Sequence, residues 1–296
     1  MSALVLALNP CIDAEWRVKD VLWEEKNTVL SERRWAGGKG VNVARWLKHL
    51  GGRPILLVPL GGKTGAEFAG HLCEENLPVR IIKLREATRV NVVVTTDAGR
   101  QMRFNPPGPR VSKLEWEATL RETRRLLAKA SVLVLSGSLP RGLPDNTNAV
   151  LIRLAQQCGV RTLLDCDGPA FAAAIKAHPF LVKPNEHELA QWWRQPVRTE
   201  ARLIRAARAL SEQTRGWVLV SRGAKHGLLV NVAEKFQTIA RPPQVRARNR
   251  VGAGDALLAA VAHEIQRGTA PREWLKFGLA TGSAATRLTA GCLPVS

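Results

Sequence analysis

The sequence is expected to fold as a three-layer α/β/α structure: a mainly parallel β-sheet covered by helices on both faces, with a small accessory β-sheet over the strand ends. Two observations carry this expectation. Short, continuous Val/Leu runs that end abruptly in small or polar residues alternate with longer stretches of helical period. That order builds parallel strands joined by crossover helices. Two further stretches mix strand formers with charges and fit neither role, which sets them apart as the accessory sheet.

The apolar runs appear in the order "LVLALNP", "ILLVPLGG", "VLVLSGSLP", "TLLDCDG", "FLVKPN" and "WVLVSRG". They lack the polar alternation of a strand wetted on one face, so both faces are to be buried. The helical segments are "VNVARWLKHL", "LEWEATLRETRRLLAKA", "NAVLIRLAQQC", "EARLIRAARALSEQ" and "DALLAAVAHEIQR", each with apolar positions at helical spacing. Ligands of such sheets bind beyond the carboxyl ends of the strands. The runs place Asn9, Ser136, Ser138, Asp165, Asn185 and Ser221 there. Of the exceptional stretches, "TRVNVVVTTDAGRQMRFNPPGP" alternates like a hairpin around Asp97, Ala98 and Gly99. "DAEWRVKDVLWEEKNTVLSERRWAGG" is too rich in strand formers and charges to be a helix. Residues of about 14–36 and 88–106 are therefore read as a lid on one domain spanning 1–296, with no repeat or low-complexity linker in between.

Bulk composition narrows the function classes. A chain of 296 residues at 45% hydrophobic can bury a sizeable core. The opening "MSALVLALNP" lacks a basic leader and a small-residue cleavage site, and no run approaches the roughly 20 apolar residues of a membrane span. The expected address is the cytoplasm, without a membrane partner. Five cysteines, Cys11, Cys73, Cys158, Cys166 and Cys292, are scattered and never spaced as CxxC, which suggests neither a disulfide framework nor a zinc site. The 44 Lys+Arg against 25 Asp+Glu give a net charge of +19, which favours anionic partners. These cations are spread thinly, without a run of five like charges, which speaks against nucleic acid and for solvated helix faces. Trp35, Trp46, Trp192, Trp193 and Trp274 lie in or beside amphipathic segments and are assigned to packing.

Glycine-rich stretches remain to be sorted. "VPLGGKTG" is not a phosphate loop, because the glycine required five residues before Gly62 is Leu57. "WAGGKGVNVARWL" has the wrong spacing for a dinucleotide fingerprint and is a tight turn before a helix. "VGAGDALLAAV" says more: Gly252 and Gly254 allow close backbone approach, and the free amides of the helix start form an anion site. Asp255 at that start is either a helix cap or a base beside a phosphoryl site.

"AGGKGVNVARWLKHLG" and "VGAGDALLA" resemble the two signatures of the ribokinase-like carbohydrate kinases, the phosphofructokinase B family. "NPCID", "TRVNV", "FNPPGP", "LSGSLPRGLP", "LLDCDG", "KPNEHEL" and "VLVSRGAKHGLLV" stand between and around them in the family's order, so the resemblance covers essentially the whole chain. The forms "NPxxD", "GGKGxNVA" and "SGSLPxG" resemble the subgroup of 1-phosphofructokinase, tagatose-6-phosphate kinase and the minor 6-phosphofructokinase. The resemblance implies a ribokinase-like fold with a β lid, ATP as phosphoryl donor, Mg²⁺ as helper, and a homodimer through the lid as one assembly.

It also implies roles. Asp255 becomes the catalytic base, with the amides of Gly252, Ala253 and Gly254 as the anion hole. Asp13 and Asn42 would contact sugar hydroxyls, beside the Gly38 turn. Lys26, Lys39, Arg89 and Ser138 would hold the sugar's existing phosphate, where charged and forked donors are favoured. Asn91, two residues from Arg89 on the same strand face, would reach the same ligand. Lys183, Asn185, Ser221 and Gly223 match the nucleotide segments, and Glu188 would organise Mg²⁺ through water. The expected reaction is ATP-dependent phosphorylation of fructose 1-phosphate to fructose 1,6-bisphosphate. Tagatose 6-phosphate or fructose 6-phosphate, phosphorylated at position 1, and a catalytically idle binding protein are the alternatives. Three departures from the family's pattern bear on the nucleotide: Arg250 beside the anion hole, Arg222 in "VSRGA", and the additional acid Asp167 in "LLDCDG".

Overall fold

The computed structural model describes residues 2–289; Cys292 lies outside them. In chain order the first elements are β1 (Ser2–Leu6), β2 (Cys11–Val18), β3 (Ser31–Gly37), α1 (Lys39–His49), β4 (Pro54–Gly61), α2 (Gly62–Glu74) and β5 (Val79–Leu84). Then follow β6 (Arg89–Thr96), β7 (Gln101–Phe104), α3 (Lys113–Leu127), β8 (Ala130–Ser136), α4 (Thr147–Gln157), β9 (Arg161–Asp165), α5 (Gly168–Ala174) and β10 (Leu181–Val182). The last third holds α6 (Glu186–Trp193), α7 (Glu200–Thr214), β11 (Trp217–Val220), β12 (Gly227–Asn231), β13 (Phe236–Ala240), α8 (Ala253–Arg267) and α9 (Pro271–Ala285).

Nine strands form one sheet in the order β13-β12-β11-β10-β9-β8-β1-β4-β5. All six apolar runs become strands of its parallel part, because none carries a polar residue that would favour a wet face. β12 and β13 add on as an antiparallel end. Along β1 and the two residues after it, Ala3, Val5 and Ala7 face one core, with α1, α2, α8 and α9, while Leu4, Leu6 and Leu8 face the other, with α3 to α7. This alternation makes three layers out of one sequence run.

The second sheet has the order β3-β2-β6-β7. β2 pairs antiparallel with β3 and parallel with β6, and the β6–β7 hairpin turns through residues 97–100, where the alternation predicted it. The lid sheet begins at Cys11, three residues before the expected boundary of 14, since Cys11 already pairs with Gly37 and Arg89. Among the described residues no helix is long and apolar enough to cross a membrane.

Candidate active site

Of the helices that start without a capping side chain, two, α1 and α8, face one cleft of about 1510 Å³. α1 begins at Gly38 with φ 110° and α8 at Gly252 with φ 81°, conformations that favour glycine. With no side chain at either N-cap, the first-turn amides have no capping acceptor and suit an anion.

Asp255 is the third residue of α8 and is buried. Its carboxylate accepts a hydrogen bond from Asn42 Nδ2 of α1 at 2.8 Å. Asn42 thus orients the acid, a role that the expected sugar contact did not include. Burial first, and then the charge of Asp165, push the Asp255 pKa up to about 6, against the pull of Asn42, Lys39 and Lys183. A carboxylate held this way is a stronger base than an exposed one, and it is ionised at neutral pH.

Behind it lies a charge cluster in which Asp165 and Lys183 are buried and Lys39 is partly exposed. Asp165, at the end of β9, meets Lys39 Nζ at 3.4 Å and Lys183 Nζ at 3.2 Å. Burial opposes its charge, yet the two lysines hold Asp165 below the usual carboxylate range. Burial likewise opposes the charge of Lys39, but Asp165, Glu188 and Asp255 together raise its pKa. Lys39 therefore reaches the cleft as a permanent cation.

The lid supplies the opposite wall. Asp13 lies across from Asn91 in the β2–β6 register, and Asn91 Nδ2 donates to Asp13 Oδ1 at 3.0 Å. A Cβ at Gly37 would collide with Asp13 Oδ2, so the strand beside the acid has to be bare. Burial raises the Asp13 pKa, opposed by bonds from Cys11 and Asn91 and by the charge of Arg89. Arg89 lines the cleft, with its guanidinium donating to Pro106 O at 2.9 Å and Asn9 O at 3.0 Å. Asn9 Nδ2 in turn donates to Pro107 O and Ser138 Oγ, both at 3.1 Å, and ties the lid's exit to the Ser138 turn.

At the other end, Asn185 caps α6 by accepting from the amides of His187 and Glu188, and Glu188 Oε2 accepts from the Asn185 amide at 2.8 Å. This capping box fixes both residues on the cleft wall, beside Ser221, which bridges to Asn185, and Gly223 at φ 60°. Arg222 lines the cleft with its guanidinium already engaged: it donates to Glu186 Oε1 at 2.9 Å and contacts His226 Nε2 at 2.9 Å. Arg250 and Asp167 line the cleft on exposed segments.

The cleft gathers every residue expected to bind substrate or nucleotide or to act in catalysis, except Lys26. Lys26 stands exposed on the 21–30 loop, which Asn27 folds back on itself through bonds to the Leu22 amide and carbonyl. Trp46 and Trp274 are buried, and Trp192 and Trp193 pack on each other. Trp35 differs from the packing role assigned to it: it lines the cleft, with Arg33 4.6 Å above its ring. For Asp165 and Asn9 the sequence shows a strand end but no role, because their partners Lys39 and Ser138 lie 126 and 129 residues away. Asn42, too, bonds an acid 213 residues away.

A wide cleft between a sheet's carboxyl ends and a lid, with two anion-ready helix starts and a buried basic carboxylate, defines a phosphoryl-transfer site. Residues 6–295 match the pfkB family carbohydrate kinase profile, and the chain belongs to that family. It is an ATP-dependent sugar-phosphate kinase of the family. It is 33% identical over 284 residues to the ATP-dependent 6-phosphofructokinase isozyme 2 of Escherichia coli, covering 95% of this chain and 91% of the relative. It is 32% identical to the 1-phosphofructokinase of Bacillus subtilis, covering 94% and 90%. The E. coli phosphofructokinase-2 structure in complex with fructose-6-phosphate superposes with a TM-score of 0.90 at 32% identity, over 96% of this chain and 93% of that one.

Proposed function

We propose that the protein transfers the γ-phosphoryl group of ATP to a primary hydroxyl of a phosphorylated ketohexose, with fructose 1-phosphate as the preferred acceptor. The observation that carries the mechanism is Asp255, buried at an uncapped helix start and oriented by Asn42. Asp255 accepts the proton as the hydroxyl oxygen attacks the γ-phosphorus in line; the bond to the β-phosphate bridge breaks and ADP leaves. Amides of Gly252, Ala253 and Gly254 offset the charge on the transferring group, with Lys39 and Lys183 behind them. Asp13, held by Asn91, takes a sugar hydroxyl, and Arg89 and Ser138 hold the existing phosphate. Asn185, Ser221 and Gly223 line the nucleotide's path. The lid excludes water that would otherwise hydrolyse ATP.

Mg²⁺ fits this wall in one manner. Among the described residues no group of three His, Cys, Asp or Glu side chains forms a metal cage. Glu188 has one oxygen in the capping box and Asp165 is taken by two lysines. These acids suit an ion that keeps its waters and rides on the nucleotide's phosphates, with Glu188 reaching it through water. There the ion would neutralise phosphate charge.

Fructose 6-phosphate or tagatose 6-phosphate, taken at position 1, is the alternative acceptor, since the relatives carry both 6- and 1-phosphofructokinase names. Steady-state ADP release with the three sugar phosphates tests the choice: the preferred acceptor has the highest kcat/KM. A homodimer through the lid would cover Leu22, Trp23, Leu30 and Phe104, all exposed there. Sedimentation of the wild-type chain and of Trp23→Glu tests that assembly.

A further inference from the structure

Beneath Asp13 lies a thiol to which neither the family match nor the mechanism gives a role. Cys11 is fully buried at the start of β2, two residues before Asp13 and on the same strand face. Its Sγ donates to Asp13 Oδ1 at 3.3 Å and accepts from Asn91 Nδ2 at 3.0 Å. The same Nδ2 donates to Asp13 Oδ1 at 3.0 Å. Register produces this arrangement, because Cys11 faces Arg89 and Asp13 faces Asn91 along the β2–β6 pair. Thiol, amide and carboxylate close a ring around one oxygen, Oδ1. No hydrogen bond among the described residues reaches Oδ2, which lies over the bare backbone of Gly37.

We propose that Cys11 is a positioning residue for the acceptor: with Asn91 it holds Asp13 by Oδ1 and so presents Oδ2 to the sugar's hydroxyl. This rests on the reading of Asp13 as an acceptor ligand. The thiol suits the place because it is at once a small buried group, a donor and an acceptor. Burial, and then the charge of Asp13, raise the Cys11 pKa well above that of a free thiol, so the donor is present throughout the working pH range. A methyl group at position 11 leaves Oδ1 a single donor inside a buried site, and the carboxylate is then free to rotate.

Steady-state kinetics of wild type, Cys11→Ala and Cys11→Ser, with melting temperatures as a control on folding, provide the test. Cys11→Ala should raise the sugar-phosphate KM about threefold to tenfold, the range of a lost hydrogen bond, while the KM for ATP stays put. Cys11→Ser restores donor and acceptor and should recover most of the loss. In an Asp13→Asn background, Cys11→Ala should add little, because the residue acts through the carboxylate. An active enzyme in which Cys11→Ala keeps the wild-type acceptor KM overturns the inference alone, as does a serine variant no better than alanine or a loss that adds fully to Asp13→Asn. A rise in both KM values together would likewise mark general packing damage and overturn it. Wild-type protein that turns over no sugar phosphate would instead remove the reading of Asp13, and the role of Cys11 with it.

Discussion

Asp255 combines catalysis with a cost in stability. Asp255→Asn should lower kcat by about 10²–10⁴, the range of general base catalysis, while ligand binding survives within several-fold. With a pKa of about 6, the base is lost by protonation below that pH, so kcat/KM should fall about tenfold per pH unit there. The sign for stability is opposite. A carboxylate whose folded pKa lies above its unfolded value costs nothing at low pH and destabilises the fold as pH rises from about 4 through about 6. Asp255→Asn should therefore melt higher than wild type at pH 8, and an unchanged or lower melting temperature would mean that the burial strain is absent. At the acceptor end, Arg89→Ala should raise the sugar-phosphate KM by roughly 10-fold to 150-fold, from about 1.5–3 kcal/mol for a bond to a charged group. The KM for ATP should barely move, and the preference for phosphorylated over free sugar should narrow. An unchanged acceptor KM would leave Arg89 only its bonds to Asn9 and Pro106. Asp255 was legible as a residue because "VGAGD" writes the helix start and the acid side by side. Its partner Asn42 was singled out for a different bond, and Asp165 gained no role. Their contacts span 213 and 126 residues, a distance over which no local pattern carries information.

At the scale of elements, the site is made where strands end and helices start bare. Gly37 at the end of β3 keeps space for Asp13 Oδ2 on β2. Gly37→Ala should displace that carboxylate and raise the acceptor KM without changing the KM for ATP; equal rises in both would point to a lid that no longer folds. The ion cluster joining β9 to α1 is the structural counterpart. Asp165→Asn strips the buried Lys183 of its partner and should cost about 3–5 kcal/mol in denaturant unfolding at neutral pH. Because its folded pKa is lowered, the contribution of Asp165 is present above the ordinary carboxylate range and fades as pH falls through the folded value, so the penalty should shrink in acid. The parallel strands were legible because continuous apolar runs have few other uses. β5 was not, since "VRIIKL" at the sheet edge is half exposed and interrupted by charges. α2, in "GGKTGAEFAGHL", is absent from the helical segments read from sequence, since its glycines interrupt the helical pattern. The 21–30 loop, between β2 and β3, has no periodicity that would report the direction of Lys26, and the structure turns it to solvent.

For the whole molecule, the net charge of +19 is a feature that the mechanism uses only in part. Part of it converges on the anionic ligands through Lys39, Lys183 and Arg89, while Arg202, Arg205 and Arg208 are exposed on α7. A protein using this charge for its own cleft should elute free of nucleic acid at low salt, whereas salt-sensitive retention of DNA or RNA would give the surface a second use. The central claim, that Asp255 serves as base for phosphoryl transfer to a sugar phosphate, is tested most directly by one measurement. ADP release is followed for wild type and Asp255→Asn, side by side, with Mg²⁺-ATP and fructose 1-phosphate, fructose 6-phosphate or tagatose 6-phosphate. The expected result is sugar-dependent turnover by wild type, highest in kcat/KM for fructose 1-phosphate, and a loss of about 10²–10⁴ in the variant with all three. Wild-type protein that releases no ADP with any of them, or a variant that keeps more than roughly a tenth of wild-type activity, would contradict it.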